Sequence, residues 1–186
     1  MAASQHTYLL LLRGINVGGK NVIKMADLKS CLEAHGLTDV QTYIQSGNVL
    51  FRSSKTKATL VKEIETVLSK EFNYEATVVI VTEAELRAVV EKAPKDFGAK
   101  PDTYHSDVVF LMPPLNAAEA KPQFKLREEV DQVWAGNGVI YFSRLSAERT
   151  KSKLSKITEL PIYKQLTIRS WSTTTKLLGK LDELTE

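Results

Sequence analysis

The chain has 186 residues, 43% hydrophobic and 25% charged, a balance that folds into a globular core and excludes a disordered segment. Its longest apolar run, Tyr8 to Leu12, is far short of the ~20 residues that cross a bilayer, and no basic region or small-residue cleavage site precedes it. A membrane partner and a signal peptide are therefore not expected, and a single cysteine, Cys31, excludes an internal disulfide and points to the reducing cytoplasm. The formal charge of +3 is unevenly spread: Arg144 to Lys180 holds nine Lys or Arg against two Glu, net +7. Such a block attracts a polyanion, or simply solvates helix faces.

In chain order, Tyr8 to Arg13 is a continuous apolar strand, and Met25 to His35 has helical spacing that Gly36 stops. Val40 to Ile44 and Asn48 to Phe51 read as strands of a hairpin around Gln45, Ser46 and Gly47. Leu60, Ile64, Val67 and Leu68 put one apolar face on a helix over Thr56 to Phe72, and Thr77 to Val81 is a β-branched strand. A helix over Thr82 to Lys92 and a linker over residues 94–105 follow. The pattern then repeats: a strand at Asp107 to Met112, a short helix at Ala117 to Phe124, and a hairpin of Gln132 to Ala135 with Val139 to Phe142. A short helix at Lys153 to Glu159, a strand at Gln165 to Ile168 and a closing helix at Ser172 to Leu181 complete it.

Each half is βαββαβ, the ferredoxin-like order with an antiparallel sheet arranged 4-1-3-2 and both helices on one face. The expected fold is α+β, two tandem ferredoxin-like units closed by a C-terminal helix. Their expected bounds are residues 1–93 and 106–186, with 94–105 between them. Leu9 to Leu12 and Val108 to Met112 are apolar at every position, which implies burial on both sheet faces. Packing of the halves on one another, a joined sheet or a homodimer would each supply the cover.

In the 4-1-3-2 order the loop after Arg13 meets the hairpin at Gln45 to Asn48, and that meeting is the expected site. The loop offers Arg13, Asn16, Gly18, Gly19, Lys20 and Asn21, glycines that let backbone amides approach a ligand between two cations. Gln45, Ser46 and Asn48 add neutral polar groups, and the combination suits an anion. Gly14 to Lys20 shares the glycine and lysine spacing of a phosphate-binding loop, but Asn21 stands where Ser or Thr would hold magnesium, and the helix begins too late, near Met25. The spacing is read as coincidence, and the plainer reading of the loop is a glycine-permitted turn with solvated cations.

The closing segment adds Arg169, whose fork suits a carboxylate, a phosphate or a structural ion pair, together with Trp171 and Lys176. Trp171 also suits a core role, and Ser170 or Ser172 can cap the last helix. Catalytic machinery is not visible. His6, His35 and His105 have no partner at ligand spacing, Cys31 reads as a small core residue, and no acidic pair falls in a cleft. No catalytic residue, metal or cofactor is expected.

The stretches Leu11 to Asn21 (LLRGINVGGKN), Met25 to Leu28 (MADL), Thr42 to Val49 (TYIQSGNV), Ser152 to Leu154 (SKL) and Arg169 to Leu177 resemble the bacterial family catalogued as domain of unknown function 1697. The resemblance runs nearly end to end and implies a bacterial cytoplasmic protein that repeats a ferredoxin-like unit. It implies no established activity. Family members typically carry Arg-Asn-Trp before the last helix, and Ser170 stands in the asparagine position here, able to cap but lacking the amide.

Three functions follow from these readings. The first is binding of an anionic, phosphate-bearing ligand, nucleic acid included, through the glycine loop, the hairpin and the basic block. The second is a small-molecule enzyme in which Lys20 or Arg169 stabilises developing charge, which a deep pocket with a base beside Lys20 would favour. The third is a structural or regulatory dimer without ligand, which a shallow, open surface around Gly18 and Gly19 would favour.

Overall fold

A computed structural model describes residues 4–185. The first repeat runs β1 (His6–Leu12), α1 (Met25–Ala34), β2 (Thr38–Tyr43), β3 (Asn48–Ser53), α2 (Lys57–Phe72) and β4 (Val78–Thr82), and α3 (Glu83–Glu91) follows it. The second runs β5 (Tyr104–Leu111), α4 (Ala117–Ala120), β6 (Asp131–Ala135), β7 (Val139–Leu145) and β8 (Leu166–Ser170), and α5 (Trp171–Thr185) closes the chain. The sheets have strand orders β2-β3-β1-β4 and β6-β7-β5-β8 with antiparallel neighbours, the ferredoxin-like order read in reverse. The chain divides into two compact units, Met1–Leu86 with Leu177–Glu186, and Arg87–Lys176, so both boundaries fall inside helices, α3 and α5.

In the first unit, Leu60, Ile64 and Leu68 lie at i, i+4, i+8 and form one buried stripe along α2. Thr56 caps that helix by accepting from the Thr59 amide, and Asn73 ends it in the left-handed region at φ 50°. The stripe packs with Leu28 and Leu32 of α1 against Tyr8, Leu10, Leu12, Val49 and Phe51 of the sheet. Leu9, Leu11 and Leu50 alternate with these residues and so point to the other face, where they are equally dry. The same alternation holds in β5, with Val109 and Leu111 in the second core and Val108 and Phe110 buried opposite.

The second repeat departs from expectation at its second helix. Lys153 to Glu159 forms 3-10 turns instead, flanked by others at Ser146–Lys151 and Tyr163–Gln165. The buried Asp131 carboxylate accepts the Ser152 hydroxyl and the amides of Lys153, at 2.8 Å, and Arg127, at 2.9 Å. Lys156, at φ −97° and ψ 21°, breaks the run midway, and Pro161 blocks extension at the far end.

Residues 94–103 hold neither helix nor strand, yet they are anchored by Phe97. Its ring stands edge-on to Trp134, Tyr141 and Trp171 at centroid distances of 5.9, 5.3 and 5.1 Å. Gly98 must lack a side chain, because at φ +73° an added Cβ would lie 2.0 Å from Trp171 Cδ1. Gly98→Ala should therefore lower stability by about 3 kcal/mol or more, whereas Gly138→Ala, at φ +70° in open space, should lose only about 1–2 kcal/mol to backbone strain. Urea denaturation midpoints of the two variants test this, and equal losses would remove the steric account of Gly98.

Candidate functional site

The expected meeting of the two loops is present in the first unit. The Leu12 amide donates to Gly47 O at 2.8 Å, and Asn16 Nδ2 donates to Gln45 O at 2.9 Å. The approach is close because Gly47, at φ +77°, has no Cβ: one would lie 2.8 Å from both Ile15 Cδ1 and Leu12 Cβ. Asn16 fastens the other side of its loop as well, donating to Ile23 O at 2.9 Å and accepting the Ile23 amide at 2.8 Å. Asn21 Nδ2 donates to Gly14 O at 2.9 Å, and buried Asn48 donates to Tyr43 O at 3.0 Å and Ser46 Oγ at 2.9 Å. Asn16 and Asn21 have φ of 54° and 47°, values that Asn tolerates better than most residues. These three amides hold the loops in shape.

Gly18 and Gly19 sit at the centre of a two-residue turn with φ +59° and +74°, closed by the Lys20 amide donating to Val17 O at 3.1 Å. Two positive φ values in a row define the mirror-image turn that suits a tight hairpin, which explains both glycines. A Cβ on either would meet nothing within 4 Å, so the turn stands open. The first helix begins at Met25, five residues beyond Lys20, as its spacing predicts, so its amino end does not open out of the glycine turn.

The joined surface is unusual in two respects. Val17, Val22 and Ile44 are 68%, 73% and 49% exposed, large apolar side chains gathered on one pair of loops. Lys20 and Lys24 are exposed and Arg13 half-buried, while residues 13–24 and 41–48 contain no Asp or Glu. Gln45 is exposed and Ser46 half-buried beside them. Lys180 Nζ lies 5.3 Å from the centroid of the Tyr43 ring, a further cation within the same unit.

Arg169, Trp171 and Lys176 belong to the second unit. Arg169 is 8% exposed, donates from Nη1 to Ile168 O at 2.8 Å, and is pushed down to about 10 by burial. Trp171 is half-buried against Phe97, Lys176 is exposed, and Ser170 Oγ caps α5 by accepting the Thr173 amide at 3.1 Å. Cys31 is buried, and burial first, then Glu71, push its thiol up, which fits a core residue. His35 Nδ1 lies 2.8 Å from Cys31 O at the end of α1.

One pair escaped the reading of the residues. His105 Nε2 lies 2.9 Å from Asp107 Oδ2, and the carboxylate is buried. Burial pushes the Asp107 carboxyl up, against the pull of His105 and Arg144. Spacing of two along a strand puts both side chains on one face, which was the available signal. Among the described residues, no group of three or more His, Cys, Asp or Glu could hold a metal ion, and no helix is long and apolar enough to cross a membrane.

Comparison with known proteins agrees with this architecture. The family model described as Protein of unknown function (DUF1697) matches residues 5–141, a span that contains both loops of the joined surface. Among solved structures, the conserved bacterial protein SP0830 from Streptococcus pneumoniae is similar, with 28% identity and a TM-score of 0.83 over 96% of this chain and 99% of that one. No curated protein matches. Because Asn16 ties three backbone groups of two loops, Asn16→Ala should cost about 2–3 kcal/mol and raise amide exchange at Ile23. Unchanged exchange at Ile23 in that variant would show that the loops do not depend on this side chain.

Proposed function

The chain belongs to the family Protein of unknown function (DUF1697), and from that premise we propose that it binds nucleic acid through the phosphate backbone, using the joined surface of residues 13–24 and 42–48. The observation that carries this reading is that residues 13–24 and 41–48 contain no Asp or Glu while they carry Arg13, Lys20 and Lys24. Backbone phosphates are attracted to such a surface by counterion release, which needs no base-specific contact. The open Gly18–Gly19 turn lets a phosphate approach the main chain, and exposed Val17, Val22 and Ile44 offer apolar surface to sugars and base faces. Contact by loops also suits a sheet whose central strands are dry on both faces, since stacking of bases on sheet aromatics is then closed off.

The openness of the turn argues against a small-molecule active site there. It equally suits a dimer surface, but charge separates the two readings. A twofold contact through this surface would bring Lys20 and Lys24 of one copy toward those of the other, and residues 13–24 and 41–48 hold no acid to offset them.

A short, fluorescently labelled single-stranded oligonucleotide titrated with the full chain provides the test. Affinity should fall linearly on a log–log plot as salt rises, with a slope of about −2 if three phosphates are neutralised. Lys20→Gln should weaken binding and make the slope shallower by about 0.7. No anisotropy change at low salt, or a salt-independent affinity, would overturn the proposal.

A further inference from the structure

The two sheets correspond residue by residue. In the first, Tyr8 of β1 faces Phe51 of β3 and Thr82 of β4; in the second, Asp107 of β5 faces Phe142 of β7 and Ser170 of β8. The Tyr8 ring fills its position, stacked on Phe51 at 5.5 Å with its hydroxyl donating to Lys55 O at 2.9 Å. The first unit lays the 16-residue α2 on that face, whereas the second has only 3-10 turns there. With a carboxylate in place of a phenol ring and no helix over it, the second unit has an open cavity of about 470 Å³.

Phe142, Leu154 and Ile168 give this cavity an apolar wall, and Asp107, Arg144, Arg149 and Ser155 give it polar groups. Arg144 Nη1 donates to Ser155 Oγ at 3.0 Å, while its Nε is buried and has no acceptor in the protein. The edge formed by Nε and Nη2 is the one that grips a carboxylate or phosphate with two parallel bonds. Among the described residues, neither Arg144 nor Arg149 forms an ion pair, and the Asp107 carboxylate is engaged instead by His105 at 2.9 Å. Two guanidinium charges against one carboxylate leave the cavity wall with one positive charge when His105 is neutral.

We infer that this cavity in the second unit binds a small organic anion with an apolar body, its carboxylate or phosphate head held by Arg144 and Arg149 and its body against Phe142, Leu154 and Ile168. Buried donors are almost always satisfied, so the Nε–H of Arg144 calls for an acceptor, and an anion head supplies it. The site lies in a different unit from the joined loops and stands or falls independently of nucleic-acid binding.

The test uses the full chain with hexanoate, phenyl phosphate and the neutral hexanamide as probes. At least one of the two anions should bind saturably and shift the Arg144 Nε–H proton resonance, and which one does identifies the head group. Hexanamide should bind at least about tenfold more weakly. Arg144→Gln and Arg149→Gln should each weaken anion binding by about tenfold or more. Arg149 is exposed, so its variant keeps the test valid if Arg144→Gln does not fold. Equal binding of hexanamide, no shift of the Arg144 Nε–H resonance with either anion, or unchanged affinity in Arg149→Gln would each overturn the inference.

Discussion

Dryness on both faces of the central strands is the constraint from which the rest of this protein follows. Leu9 to Leu12 and Val108 to Leu111 are buried in every pleat direction, so neither face of the sheet centre can recognise anything. Recognition is displaced to the strand ends and to places where a covering element falls short. The joined loops of the first unit are the strand-end case. The cavity beside Asp107 is the case of short cover, where turns stand in for a helix.

The two repeats use one scaffold with opposite electrostatic solutions. At matching positions the first carries a tyrosine in aromatic contact with Phe51, whereas the second carries a carboxylate coupled to His105 and within the field of Arg144. An ionised side chain at 6% exposure demands partners, and the second unit supplies a histidine on the same strand and an arginine on the neighbouring one. The first unit has no such demand, and Lys20 and Lys24 flank a turn in loops whose geometry is set by asparagine amides and by Gly47.

Much of the architecture was legible in the residues. Apolar runs, turn residues and the spacing of Leu60, Ile64 and Leu68 are local signals, and the ferredoxin-like order then brings the loop after Arg13 to the hairpin at Gly47 as a matter of topology. Ser170 as a helix cap was equally readable, because capping is decided within a few residues. What stayed hidden depends on distant partners. Leu154 and Ile157 suit a helix face, but Lys156 between them leaves the helical region, and the segment is pinned at its start by Asp131, on a strand that precedes it by more than twenty residues. Phe97 lies in a stretch of Pro, Gly and Lys that reads as linker, and only the convergence of three aromatic rings from later in the chain makes it an anchor. His105 and Asp107 were obscured because an aspartate at the head of an apolar strand reads as its solvated end.

The first unit is assembled from both ends of the sequence, residues up to Leu86 together with the stretch from Leu177 onward, and Leu177 and Leu181 are buried. On the ribosome, the whole intervening unit must therefore emerge before the first one can be finished. Until translation reaches those leucines, the first unit lacks the buried residues that its closing helix contributes.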